Sequence, residues 1–181
     1  MECIFARELN LNSTKLSVPT VEAKHLKALR IKDNERILIT NGDGLSAVAT
    51  IKRIDKNDYF AYIEELLPNY GELDYSLALA IGIIDSPTRF EFAIEKSIEL
   101  GVSEIYPLIL DYSQCKKINQ ERLTSKAISA LKQCKRSRLP IIHNPQTLAN
   151  LFTKISNCIE ENQIILADAG GLKASKFFLD N

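Results

Sequence analysis

Four cations fall within seven residues at Lys132-Gln-Cys-Lys-Arg-Ser-Arg138, in a chain of 181 residues whose 23 basic and 23 acidic side chains cancel. Cations in the last turn of a helix complement its dipole, an effect of ~0.3–1 kcal/mol each when exposed. Four of them exceed that need. The cluster reads either as a solubilising helix end or as a polyanion contact. On the second reading Arg136 and Arg138 take phosphates, because a guanidinium fork binds two oxygens at once. Gln133 then reaches a base edge or a ribose.

Other chemistry-bearing residues have plainer alternatives. His25, between Lys24 and Lys27, is a surface or capping histidine, or an RNA contact through its imidazole face. Glu95 and Glu99 lie one helical turn apart with Lys96 between them. They are solvated helix charges paired with lysines, or an acid–base pair. Gly170-Gly171 is a turn, or a place where a phosphate or cofactor approaches the backbone. Cys3, Cys115, Cys134 and Cys158 form no Cys-x-x-Cys pair, and neither His25 nor His143 stands at ligand spacing from them, so reduced thiols and no metal are expected. There is no P-loop, and no Ser-His-Asp set can be placed.

The elements that must position these residues follow from periodicity. Phe90, Ile94 and Ile98, with Ala93 and Leu100, make an apolar stripe on a helix from Arg89, closed by Gly101. Leu77–Ile84 before it and Ile105–Leu110 after it have strand length and strand composition, giving a βαβ unit. Leu123, Ala127, Ala130, Leu131 and Cys134 mark a second helix, from Asn119 into the basic cluster. A further helix is predicted from Pro145-Gln146, a buried strand at Gln163–Ala167, and the start of a helix at Lys173–Leu179.

Residues 1–70 read differently. Ile37–Thr40, Ala47–Ile54 and Tyr59–Ile63 are short strands joined by Asn41-Gly-Asp-Gly44 and Asp55-Lys-Asn-Asp58 turns, which implies a small antiparallel barrel. One helix, Val21–Arg30 with Thr20 as its N-cap, precedes them. Pro68-Asn-Tyr-Gly-Glu72 is the linker, and an α/β domain occupies 73–181. A composition of 45% apolar and 25% charged residues is that of a folded protein. No apolar run approaches the ~18–20 residues of a membrane span. Met1-Glu-Cys-Ile-Phe-Ala-Arg-Glu8 lacks the basic-then-apolar pattern of a signal peptide. A cytoplasmic protein without membrane partners is expected.

Glu95-Lys-Ser-Ile-Glu-Leu-Gly-Val-Ser-Glu-Ile-Tyr-Pro-Leu108 resembles the "EKATELGV-EI-PL" signature of the RsmE family, SPOUT-class methyltransferases of small-subunit ribosomal RNA. Gln133-Cys-Lys-Arg-Ser-Arg-Leu-Pro140 is similar to its "EQ-x-x-R-x-R-x-P" segment. His25-Leu-Lys-Ala-Leu-Arg30 resembles "HHL-x-x-VLR", and Asn41–Gly44 resembles a "DGxG" hairpin. The matches run in order along nearly the whole chain.

The resemblance implies a PUA-like barrel that assists RNA binding and an α/β domain that binds S-adenosylmethionine in a trefoil knot. It further implies a homodimer, and N3-methyluridine in 16S ribosomal RNA as product. Lys24, His25, Arg30, Arg89, Lys96, Gln133, Arg136 and Arg138 are the RNA-facing residues on this reading. Arg136 and Arg138 would also stabilise the uracil imidate that forms when N3 loses its proton, on a uridine flipped out or already unstacked. The family's "GPEGG" loop and "LG-x-x-ILR-x-E-T-A" segment have no counterpart up to Asn181. The catalytic base is therefore unassigned, and the knot, most of the cofactor pocket and the main dimer face are expected beyond Asn181, in a chain that is a fragment or a truncated product. Asp111-Tyr112-Ser113 replaces "ERS", removing one expected arginine contact, and Asn34-Glu35 replaces a Gly-Asp turn. The competing expectation is an RNA-binding module without catalysis; a purely structural protein would have no salt-dependent RNA affinity.

Overall fold

The computed structural model describes residues 1–55, 58–156, 164–167 and 170. Residues Met1–Gln146 form one compact unit, and the described residues from Thr147 onward belong to a second.

The first unit begins with a five-stranded sheet in the order β1-β3-β4-β5-β2. Its strands are β1 (Cys3–Phe5), β2 (Lys15–Ser17), β3 (Arg36–Thr40), β4 (Leu45–Arg53) and β5 (Tyr59–Pro68). β3, β4 and β5 form the antiparallel meander that the turn residues predict, with β2 added antiparallel to β5. β1 pairs parallel with β3, which the sequence reading lacks. A three-residue strand carries too little periodicity to be seen, and its partner is distant in sequence. β1 and β2 are the open edges, so the sheet is a half-barrel.

Alternation along each strand sends Ile37, Ile39, Ala47, Ala49, Ile51 and Ala61 to one face. There they enclose a core with Ile4, Leu9, Ala23 and Leu26. Ala23 and Leu26 come from α1 (Thr20–Ala28). Pro19, not Thr20, is the N-cap of α1, and no side chain caps it. The helix ends at Ala28, not Arg30; Arg30 has φ 57°.

A second, parallel sheet runs in the order β6-β7-β8, from β6 (Ala78–Gly82), β7 (Glu104–Ile109) and β8 (Ile141–Ile142). α2 (Pro87–Glu99) links β6 to β7, and α3 (Gln120–Cys134) links β7 to β8. Because both crossovers advance in the same direction, right-handed connections put both helices on one face. Phe90, Ile94, Ile98, Leu123 and Ala127 pack there against Ile105, with Leu79, Ile81, Ile109 and Ile142 around them. Asn119 caps α3: its side chain accepts a hydrogen bond from the Arg122 amide at 2.9 Å.

The basic cluster is not one helix end. Lys135 takes the left-handed conformation, φ 60°, and stops α3 at Cys134, so only Lys132 stands in the last turn. The third strand is β8, directly after Pro140. Ile164–Ala167 of the strand expected at Gln163–Ala167 carry no strand assignment. Gln163, Cys158, Gly171 and the helix expected at Lys173–Leu179 lie outside the described residues. In the second unit α4 (Leu148–Ile155) begins two residues later than its expected opening; the Thr147 hydroxyl caps it by accepting from the Asn150 amide at 3.3 Å.

Candidate nucleic-acid interface

The segment after α3 runs between the barrel and the parallel sheet, and its side chains are mostly occupied in joining them. Arg136 is only 3% exposed. Its Nε and Nη2 donate to one oxygen of Glu72, at 3.1 and 2.7 Å, and its Nη1 donates to the carbonyls of Ile98 and Val102, at 2.8 and 2.9 Å. The other Glu72 oxygen accepts from the backbone amides of Ser137 and Arg138, at 2.8 and 2.7 Å. A guanidinium so enclosed satisfies the Ile98 carbonyl in the last turn of α2 and the Val102 carbonyl just beyond it, and offers no fork to a phosphate. The expectation of Arg136 as an RNA contact therefore gives way to a positioning role. Glu72, which the sequence reading placed in a linker, is its partner.

Arg138 is exposed, but Nε and Nη2 donate to the side-chain oxygen of Asn69 at 3.2 and 2.7 Å. Its guanidinium lies on Gly44, where an added Cβ would come within 2.8 Å of Cζ. Gly44 has φ +96°, so the turn residue serves two purposes: it admits the left-handed conformation and lets the cation lie against the backbone. Backbone bonds complete the seam. The Gly44 amide donates to Ser137 at 2.9 Å, Leu139 donates to Gly42 at 2.8 Å, and Asn69 donates to Gly44 at 2.7 Å.

Lys132 makes the remaining tie. Its Nζ bonds both oxygens of the buried Glu22 on α1, at 2.9 and 3.1 Å. Two of the four cations read as one basic patch are thus paired, Lys132 with Glu22 of α1 and Arg136 with Glu72 past β5, while the exposed Arg138 is held by the uncharged Asn69. Charge complementarity across sequence separations of 64 and 110 residues is invisible to any local reading.

Lys24, His25 and Arg30 are exposed on and just past α1, Arg89 is exposed in the first turn of α2, and Gln133 is exposed in the last turn of α3. Lys96 is half-buried and donates to both oxygens of Glu99, at 2.8 and 2.9 Å. That hydrogen bond and the Glu99 charge hold its pKa above the ordinary lysine value. Glu95 faces Lys126 at 3.7 Å. The Glu95–Lys96–Glu99 group is thus a set of helix-surface ion pairs.

A cavity of about 620 Å³ opens between α1 and α3, lined by Phe5, Val21, Glu22, Glu121, Ser125 and Ser129 among others. One cluster escaped the sequence reading. On the sheet face away from α2 and α3, the Glu104 carboxylate accepts from the Tyr106 hydroxyl at 2.6 Å and bonds the His143 ring at 2.9 Å, while the Tyr106 and His143 rings stack at 4.1 Å. The hydrogen bond from Tyr106, then that from His143, lowers the Glu104 pKa. Only the i, i+2 spacing of Glu104 and Tyr106 on a strand could have signalled it. Burial raises the Cys3 thiol to about 12 and also raises Cys134, so neither is a thiolate nucleophile near neutrality. No helix among the described residues is long and apolar enough to cross a membrane.

The half-barrel with its helix, joined to a parallel α/β sheet through a buried seam, defines a class: a PUA-like domain ahead of an RNA methyltransferase domain. A family model described as "RNA methyltransferase PUA domain" matches residues 21–64, and one described as "RNA methyltransferase domain" matches residues 71–180. The chain belongs to the RsmE family of RNA methyltransferases.

Among curated relatives, "Ribosomal RNA small subunit methyltransferase E" of Rickettsia conorii is 32% identical over 76% of this chain and 59% of the relative. The protein of that name from Buchnera aphidicola subsp. Schizaphis graminum is 32% identical over 66% of this chain and 51% of the relative. The chain therefore spans a little over half the length of these relatives. Among solved structures, a putative methyltransferase of Legionella pneumophila in complex with SAM superposes with a TM-score of 0.74 and 27% identity, covering 96% of this chain and 73% of that one. Ribosomal RNA small subunit methyltransferase E of Neisseria gonorrhoeae, bound to S-adenosyl methionine, gives 0.75 at 23% identity over 89% and 66%, a likeness of fold.

Proposed function

We propose that this chain takes part in S-adenosylmethionine-dependent methylation of N3 of a uridine in 16S ribosomal RNA, acting in the cytoplasm as a homodimer on the small subunit or its RNA. The observation that carries the reading is that the matches to methyltransferase E relatives run through the barrel and the parallel sheet alike, in chain order. Here those halves form one unit, held by Glu22–Lys132 and Glu72–Arg136.

The neutral uracil imide is a poor nucleophile, so N3 must lose its proton as the sulfonium methyl arrives. The cofactor supplies the methyl group. The described residues contribute the RNA side. Lys24, His25 and Arg30 with Arg89 and Gln133 offer exposed donors to backbone and ribose. Arg138, held in place by Asn69, is a pre-positioned cation for a phosphate or for the developing imidate. Arg136 holds the seam on which Arg138 stands.

Calorimetric titration of S-adenosylmethionine, followed by methyl transfer to unmethylated small subunits with mapping of the product, tests the reading. Cofactor binding and N3-methyluridine are expected. RNA binding by the folded chain without cofactor binding or methyl transfer would overturn catalysis and leave a non-catalytic RNA-binding module.

A further inference from the structure

The outer face of the half-barrel is divided. At one end Cys3, Leu38 and Val48 are buried in a small apolar cluster with Leu67, on the side where α3 meets β1. At the other end the outward positions are polar and aromatic. The register lines up Arg36, Thr50, Tyr62 and Lys15 in one row across β3, β4, β5 and β2, and Lys52, Phe60 and Ser17 in the next. Phe60 and Tyr62 are two residues apart on β5, so both rings stand on the same face about 7 Å apart along the strand.

Each ring has a lysine beside it. The Lys15 ammonium lies 3.6 Å from the Phe60 centroid and 5.3 Å from that of Tyr62, and Lys52 lies 5.7 Å from Tyr62 on the other side. Glu64, displaced by the bulge between Val48 and Ala49, is taken up by Arg36 at 2.8 Å and by Thr50. Lys15 and Lys52 make no ion pair among the described residues. Tyr62 is 38% exposed, and β2, which carries Lys15, is an edge strand.

We infer that this patch is a platform for single-stranded RNA, separate from the helix-borne residues named above and resting on the reading that the protein handles RNA. Two neighbouring bases stack on Phe60 and Tyr62, and Lys15 and Lys52 swing from the ring faces to the flanking phosphates. The chemistry selects this partner. Flat apolar rings beside unpaired, flexible cations complement a polyanion whose charges alternate with aromatic faces. A duplex hides its base faces, an acidic peptide would use the cations but not the rings, and a lipid surface has no flat groups to stack. The weak cation–π contacts of the free protein hold the lysines until a base takes their place.

The test is fluorescence anisotropy with labelled oligouridine, alone and annealed to oligoadenosine, between about 50 and 200 mM salt. The Phe60→Leu/Tyr62→Leu variant is expected to bind the single strand ~10-fold or more weakly with its salt slope unchanged. Lys15→Gln/Lys52→Gln is expected to lower the slope by about 1–2. Thermal unfolding checks that each variant is folded. Photocrosslinking of 4-thiouridine RNA to the unchanged chain gives an independent readout, with adducts expected on the peptide carrying Phe60 and Tyr62. Unchanged affinity in the folded ring variant, or adducts confined to other peptides, overturns the platform while leaving the RNA reading intact. Failure of the unchanged chain to bind either RNA overturns both.

Discussion

The guanidinium of Arg136 and the carboxylate of Glu72 meet through two N–H···O bonds, 2.7 and 3.1 Å, with side chains 4% and 9% exposed. Between them they also satisfy the Ile98 carbonyl in the last turn of α2, the Val102 carbonyl beyond it, and two amides after α3. Removing one partner of such a pair strands a charge where water cannot reach it. Arg136→Ala is therefore expected to cost about 3–5 kcal/mol, read from the urea midpoint. Glu72→Gln should cost less, since an amide oxygen still accepts hydrogen bonds. The double variant should fall short of the sum by about 0.5–3 kcal/mol.

Two glycines discriminate between strain and space. Gly71 has φ +72°, and an added Cβ would lie 2.8 Å from the backbone oxygen of Lys135. At Gly82 the nearest atom, also at 2.8 Å, is the end of the Leu110 side chain, which can rotate away. Gly71→Ala should lower stability by about 1–3 kcal/mol, and Gly82→Ala by clearly less, in the same denaturation assay.

Glu104 carries the clearest acid dependence. Its pKa is lowered by Tyr106 first and His143 second, so its contribution to stability is fully present above the ordinary carboxylate pKa. That contribution disappears as pH falls through the lowered value of the folded state. Glu104→Gln should remove this part of the acid-side decline while leaving the neutral-to-alkaline profile nearly parallel to the parent. Melting temperature against pH for both proteins gives the comparison; identical acid limbs would show the cluster to be energetically silent.

Cys3 gives the opposite sign. Burial raises its pKa to about 12, so the folded state prefers the neutral thiol, and stability falls as pH rises above the thiol's unfolded value. Native protein at neutral pH should leave Cys3 unalkylated by iodoacetamide over times in which urea-unfolded protein is fully labelled. Mass mapping of the tryptic peptides reads this directly.

On the proposed function, Arg138, exposed at the seam, is the cation there that meets RNA. Arg138→Ala should weaken RNA binding and reduce the salt slope by about 1. Its loss of stability should be smaller than that of Arg136→Ala, because Arg138 is solvent-exposed. An unchanged salt slope would confine Arg138 to holding the Gly44 turn through Asn69.

Local rules were enough for much of the molecule. The i, i+4 stripe of Phe90, Ile94 and Ile98, the alternation along Ile37–Thr40, and the Asn41–Gly44 turn all report interactions within a few residues, which sequence order preserves. They defined a small sheet followed by an α/β unit, and the quoted motifs placed the chain among its relatives. What sequence could not assign was the partner of each charge. Lys132, Arg136 and Arg138 look like one free basic patch because their carboxylate and amide partners, Glu22, Glu72 and Asn69, lie 64 to 110 residues away. Only the tertiary fold decides which cations are desolvated and paired and which remain exposed to a ligand. It likewise decides that β1 joins β3, and that Phe60 and Tyr62 share a solvent face with Lys15 and Lys52, because strand register is a long-range property that no local pattern encodes.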